Sequence, residues 1–404
     1  MLFFILLGIG TGVATGLIPG LHPNTVFVII LSMTFLLTGI PTPLILTFIV
    51  SLAISNTFTD FLPSILFGAP DPATALSVLP GHKLLLAGKG HEALFLTVVG
   101  GLGVAILTLL TLPILLYLIP LIYEIIHPHI HLILISIVLW MISTERGIGK
   151  IHSLFIFGMV GLFGFIALKS FPSEVVLFPA LTGLFAFSTM ITSLRSNTVI
   201  PEQEEFDGVK TNSTKGIITG WLAGWLSGML PGVGAAQSGV IASQLFRAKT
   251  RDFLTALGGI NTSNILFTFV VFYLLGKTRS GATWTVSQLM NTITFTDMLI
   301  IVTVGAITCF LSVIVTLKIG RIMIRRIRGV DYKKLNMYIM GALIIMVLLF
   351  SGWIGFFISV LGACMGLMTI LLGVRRSHMM GFLIFPTILY FSGIGILLGV
   401  FMGM

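Results

Sequence analysis

Two short stretches pair a helix-breaking Pro-Gly with small polar side chains inside apolar sequence: GLIPGLHPNTV from Gly16 to Val26, and GMLPGVGAAQS from Gly228 to Ser238. Proline withholds an amide hydrogen from the helical ladder and glycine accepts backbone angles that other residues resist, so each pair ends a helix. Within a membrane such broken backbone must be buried in protein or face water. A helix that restarts beyond the break presents free amides and the positive end of its dipole, which suits an anion. The candidate anion-binding residues are therefore Pro19, Gly20, Leu21, His22, Asn24 and Thr25, and in the second stretch Pro231, Gly232, Val233, Gly234, Ala235, Gln237 and Ser238. A tight turn capped by Asn24 or Thr25 is the plainer alternative, and the recurrence of the motif favours the functional one.

A second set has the chemistry of a cation site. Ser55, Asn56 and Thr57, with Ser263 and Asn264 in the second half, are neutral oxygen donors of the kind hard cations such as sodium take. Asp60 and Asp71 are the nearest ionisable groups, and an acid at membrane depth is a functional candidate, although the prolines beside Asp71 favour a surface turn. Lys277 and Arg279, in GKTRSGATW, suit a carboxylate-bearing substrate or, equally, snorkel to the interface.

Catalytic patterns are missing: the sequence has no His-Glu-x-x-His, no Gly-x-Gly-Asp and no serine–lysine arrangement, so an enzyme is not expected. The alternating histidines of HPHIH, His127 to His131, would serve zinc only if extended, and they read as an interfacial turn. Cys309 and Cys364 stand alone in apolar runs and read as packing residues. No metal or cofactor is expected beyond Na+ or H+ as a coupling ion.

The elements that must position these residues follow from composition. With 56% hydrophobic and 9% charged residues and a mean hydropathy of +1.11, the chain belongs in a bilayer. At roughly 20 apolar residues per span, about ten to fourteen crossing or re-entrant segments fit. Continuous apolar runs such as FLTVVGGLGVAILTLLTLPILLYLIP exclude an alternating β-barrel. The opening MLFFILLGIGTGVATGLIPG lacks a basic leader and is predicted to stay as a helix. The net charge of +9 does not point to nucleic acid, because Lys318, Arg321, Arg325, Arg326, Arg328, Lys333 and Lys334 cluster beside apolar spans. The positive-inside rule assigns them to the cytoplasm, together with Arg375 and Arg376, which follow a run interrupted by FSGWIG at Phe350 to Gly355. From Ser55 to Leu94, Pro63, Pro70, Pro72 and Pro80 cut the sequence so that no uninterrupted span is predicted. The acidic PEQEEFDGVK, Pro201 to Lys210, reads as a solvated linker, dividing the chain into 1–200, a linker 201–214, and 215–404.

The two parts repeat. Gly8, Gly12, Gly16, Pro19 and Gly20 recur at an offset of 212 as Gly220, Gly224, Gly228, Pro231 and Gly232. Ser55, Asn56 and Gly68 recur at an offset of 208 as Ser263, Asn264 and Gly276. Glycines spaced by four leave one helix face flat, so another backbone packs closely. The expected fold is an all-α polytopic membrane protein of two internal repeats, expected to be inverted, with broken or re-entrant helices at the Pro-Gly motifs.

Pro19 to Leu21, the stretch LFGAPDPATALSVLPGHKLLLAGKGHEAL, and LPGVGA at Leu230 to Ala235 together resemble the large membrane subunit of the tripartite tricarboxylate transporter family. Gly68, Pro70, Pro72, Ala73, Ala75, Gly81, Lys89, Gly90, Glu92, Ala93 and Leu94 occupy the family's places in the long stretch, and Asn261 and Asn264 fall in its asparagine-containing segment. The chain departs from the pattern in being shorter, in His22 where a glycine is usual, and in LPGHK at Leu79 to Lys83. The resemblance implies cation-driven uptake of a tricarboxylate or other small organic anion across the cell membrane. It also implies a small membrane subunit and an extracytoplasmic binding protein as partners, beside membrane lipids and a second copy in a homodimer. The alternative function is a polyprenyl-phosphate lipid carrier using the same broken-helix anion sites.

Overall fold

The computed structural model describes residues 1–18, 23, 26–27, 30, 39–69, 74–193, 200–206, 213–229, 234–246, 249–290, 292–327 and 332–393. Among these every regular element is a helix, the arrangement in which a membrane segment satisfies its own backbone. In chain order the α-helices are α1 (Leu2–Leu17), α2 (Thr42–Thr59), α3 (Phe61–Phe67), α4 (Val78–Leu86), α5 (Gly90–Ile126), α6 (Ile130–Ser143), α7 (Gly149–Ser170), α8 (Ser173–Leu181) and α9 (Ser188–Ser193). They continue as α10 (Thr214–Met229), α11 (Ala235–Phe246), α12 (Thr250–Leu275), α13 (Gly281–Leu289), α14 (Phe295–Ile327), α15 (Tyr332–Leu371) and α16 (Gly381–Ser392). Among the described residues 7 helical stretches are long and apolar enough to cross a bilayer. The protein is thus an all-α polytopic membrane protein.

As expected, among the described residues no uninterrupted span lies within Ser55 to Leu94, although the first residues of that stretch complete a span that begins before it. Thr42–Phe67 is one of the membrane-length stretches, with 26 residues and only a turn at Asp60 between α2 and α3. The turn restarts the helix, so Pro63 falls in the first turn of α3, where its missing amide hydrogen forfeits no ladder bond. Beyond Gly68, which caps α3 at φ 65°, the chain does leave the helix. The 26-residue α12 ends the same way, on Gly276 at φ 64°.

The acidic segment keeps Glu202, Glu204 and Glu205 exposed over its described part while its backbone is anchored: Glu204 donates its backbone N–H to Gly88 O at 2.8 Å, and Gln203 Nε2 donates to Leu85 O at 3.0 Å. Gly88, at φ 79°, makes the turn that opens this docking edge. Of the two cysteines, Cys309 is buried as expected, whereas Cys364 faces outward from α15. The histidines of HPHIH begin in a 3-10 turn at His127–His129 and are not extended.

Small residues set the packing. Gly8 lies against Phe48, Ser51 and Leu52, Gly12 against Ser55 and Gly16 against Thr59, so α1 runs parallel to α2. Gly220 lies against Ala256 and Gly259, Gly224 against Ser263 and Gly228 against Phe267, so α10 runs parallel to α12. Gly100 on α5 and Gly258 on α12 sit against Thr255 and Thr97 of each other's helix, and Gly320 places the end of α14 beside Leu94. One core joins α1–α5 to α12 and α14. A second joins α7, α8, α15 and α16, with Ala236 and Val240 of α11 reaching into it. Both cores draw on residues from each side of the acidic segment. Within α15, Gly352 at φ 61°, ψ −161° breaks the helix inside FSGWIG.

Candidate functional site

Polar side chains concentrate where α2 crosses α12. Both helices are buried along most of their length, so a hydroxyl or amide there must find a partner in protein. Thr57 Oγ1 and Thr262 Oγ1 lie 3.1 Å apart, and Asn261 Nδ2 donates to Asp60 Oδ2 at 2.7 Å and to Thr57 O at 3.3 Å. Asp60, at the break between α2 and α3, is only 5% exposed. A carboxylate at that depth is held by donors or by a cation.

On either side of the crossing lie two matching hydrogen bonds. Asn56 Nδ2 donates to Thr15 Oγ1 at 3.1 Å, joining α2 to α1. Ser227 Oγ donates to Asn264 Oδ1 at 2.8 Å, joining α10 to α12. Thr15 and Ser227 each sit a few residues before a Pro-Gly pair, and their separation is the offset of 212 found for the glycines. Ser55 and Ser263, expected to complete the site or hold the cation, lie on the glycine contacts, and Ser263 Oγ donates to Gly259 O at 2.7 Å.

After the second Pro-Gly pair a helix does restart: Ser238 N bonds Gly234 O at 3.1 Å in the first turn of α11. Ala235 is buried, and the Ser238 hydroxyl is fully buried with no hydrogen-bond partner among the described residues. Pro19, Gly20, Leu21, His22, Asn24, Thr25, Asp71, Pro231, Gly232 and Val233 lie outside the described residues, as does the side chain of Gln237.

Lys277 and Arg279 belong to a separate cluster beyond Gly276. Lys277 Nζ and Arg279 Nη2 both donate to Tyr123 Oη, at 3.2 and 2.8 Å, and both cations lie over its ring. Among the described residues neither forms an ion pair. At the other end of α5, Glu92 is buried and ion-paired with Arg251, so the beginnings of α5 and α12 share one face and the Tyr123 cluster lies at the opposite one. Thr15, Ser227, Thr262 and Tyr123 were not among the sequence-based candidates. The offset of 212 linking Thr15 to Ser227 is the signal that could have found the first two.

Apolar membrane-length helices that bury amides, hydroxyls and a carboxylate at one crossing, with shorter helices laid parallel against them, have the architecture of a multi-pass membrane permease. Residues 2–381 match the tripartite tricarboxylate transporter TctA family, and the chain belongs to that family. It is thus a permease of tricarboxylate-transporter type. It is 29% identical over 402 residues to Uncharacterized protein MJ1079 of Methanocaldococcus jannaschii, covering 96% of this chain and 98% of that one. No solved structure matches the chain.

Proposed function

We propose that the protein is a secondary active transporter of the cell membrane that couples Na+ or H+ to uptake of a small organic anion, a di- or tricarboxylate. The anion lies between the two Pro-Gly breaks, with Asn56, Thr57, Asp60 and Asn264 holding or flanking the coupling ion. The observation that carries this reading is the matched pair of hydrogen bonds, Thr15–Asn56 and Ser227–Asn264, which brings the residues preceding each Pro-Gly onto the two crossing helices. At 16 residues α1 spans about 24 Å, short of a ~30 Å hydrocarbon core, which suits a re-entrant arm. Because α2 and α12 begin at opposite ends of their crossing, the two units suit an inverted duplication. The buried Ser238 hydroxyl at the restart of α11 suits an anion contact. A cation beside a carboxylate lowers the desolvation cost of both, so their binding is coupled. The family points to a small membrane subunit and an extracytoplasmic binding protein as partners.

A second reading, a polyprenyl-phosphate carrier, is favoured by an apolar crevice of about 450 Å3 whose lining includes Ile133, Trp140, Leu226 and Ile241, the last two on the arms flanking the second Pro-Gly. A thermal-shift screen of the purified protein with citrate, other carboxylates and a polyprenyl phosphate, each with and without sodium, separates the two. Carboxylate stabilisation enhanced by sodium is expected; stabilisation by the lipid phosphate alone overturns the organic-anion reading. Gly20→Leu and Gly232→Leu should each abolish uptake in protein that still inserts, and normal uptake by either would remove the Pro-Gly sites. Asn56→Ala should weaken the sodium response.

A further inference from the structure

The acidic segment covers a cavity of about 410 Å3 between the start of α5 and the end of α14, lined by His91, Phe95, Glu205, Phe206, Arg321 and Arg325, with Leu94 and Leu317. Its walls divide by chemistry. Leu94, Phe95, Leu317 and Phe206 form an apolar side, closed where Phe95 and Phe206 meet edge to face at 5.2 Å. Arg321, Arg325 and His91 form a polar side on which Glu205 is the one lining carboxylate. Glu205 Oε1 accepts from Arg325 Nη2 at 2.7 Å, while Arg321 forms no ion pair among the described residues. The pair is exposed, 60% for Arg325 and 78% for Glu205, so it contributes at most about 1 kcal/mol and exchanges readily for another anion. The hinge of this cover is firm: Gln203 Oε1 accepts from Gly90 N at 2.9 Å, and its Nε2 is bound to Leu85 O and Pro201 O.

We propose that this cavity is a binding site for a phosphate-bearing anion, either a phospholipid head group or a free phosphate, at the basic face of the protein. In the resting arrangement the Glu205 carboxylate stands in for the ligand on Arg325. An incoming phosphate takes Arg325 and Arg321 together, a charge-assisted arrangement that one carboxylate on one arginine does not match. Two arginines beside an apolar wall at the end of a span fit a lipid whose phosphate sits at the interface, and that face is the one the positive-inside rule assigns to the cytoplasm. The site is separate from the helix crossing, so it stands or falls independently of the transport reading.

The test uses the purified full chain without carboxylates and at constant ionic strength. Thermal midpoints are measured in detergent with inorganic phosphate, and in phosphatidylcholine nanodiscs with and without phosphatidylglycerol. Stabilisation by phosphate, by the anionic lipid, or by both is expected, and which of them acts identifies the source. Glu205→Gln, which removes the resident competitor, should lower the half-saturating concentration several-fold. Arg321→Gln should raise it roughly tenfold or more. Arg326→Gln, an exposed neighbour that does not line the cavity, should leave it unchanged. A response in neither wild type nor Glu205→Gln overturns the proposal, as does equal loss in Arg321→Gln and Arg326→Gln, which would mark a diffuse basic surface.

Discussion

Asn261 donates to the Asp60 carboxylate at 2.7 Å, tying the middle of α12 to the break between α2 and α3 across 201 positions of sequence. The contact joins the acid described at the crossing to an uncharged donor from the other half of the chain. An acid buried at membrane depth is a functional candidate, and a coupling cation is one thing such a group can hold.

Separate losses follow from the two partners. Asn261→Ala withdraws a donor from a buried carboxylate and should destabilise the protein by about 1–3 kcal/mol. Asp60→Asn keeps the shape while removing the charge, so it should fold and bind carboxylate but lose most of the sodium dependence of uptake into proteoliposomes. Sodium dependence equal to wild type in Asp60→Asn would take Asp60 out of the coupling site.

The glycine contacts predict a position-specific response to one added methyl. A Cβ at Gly224 would overlap the Ser263 hydroxyl and lie 2.8 Å from Ser263 Cβ, so Gly224→Ala should cost about 1–3 kcal/mol. Ser263→Ala in the same chain should recover part of that loss. At Gly158 in α7 a Cβ meets nothing within 4 Å, and Gly158→Ala should be neutral or stabilise by up to about 1 kcal/mol through helix propensity. Unfolding midpoints in detergent decide; equal midpoints for the Gly224 and Gly158 variants would contradict the packing.

What was legible in the sequence was local. Glycines spaced by four, Pro-Gly breaks and the positions of apolar runs are each written within one helix, and α1, α10 and their partners follow from them. Asn56 could be singled out as an oxygen donor, but its partner Thr15 lies on another helix, and only the repeat offset connects Thr15 to Ser227. Asn261 with Asp60 was less accessible still, because the crossing of α2 and α12 is a non-local packing event. Pro63 misled in the other direction: counted as a breaker, it falls in a first turn because Asp60 has already interrupted the helix. The acidic segment reads as solvated by charge, yet its backbone is committed to a turn whose positive φ at Gly88 is visible only in three dimensions.

Tyr123 is the shared acceptor for Lys277 and Arg279, and its hydroxyl holds two cations together without neutralising them. If the cluster meets the carboxylate substrate on its way in, Arg279→Gln and Lys277→Gln should each raise KM about tenfold with kcat near wild type. Tyr123→Phe keeps the ring under both cations and should have a smaller effect in the same direction. A fall in kcat at unchanged KM would place the cluster in the moving machinery instead.

Stability should also fall on mild acidification through one histidine. His378 is 1% exposed in the turn before α16, its Nε2 lies 3.0 Å from Glu145 Oε1, and its Nδ1 is buried without a hydrogen-bond partner. Burial holds its pKa below the usual value, the Glu145 hydrogen bond and charge offset this only in part, and Arg375 adds to the lowering. Above about pH 6.5 neither the folded nor the unfolded chain carries the proton, and the residue contributes no pH dependence. As pH drops below that value the unfolded state binds the proton first, so stability declines until the lowered folded pKa is reached and then levels off. His378→Gln removes the titration, and its unfolding midpoint should vary less than that of wild type between pH 7 and 5. Parallel midpoint curves for the two proteins would show that other groups carry the acid sensitivity, while a steeper loss in wild type assigns it to His378.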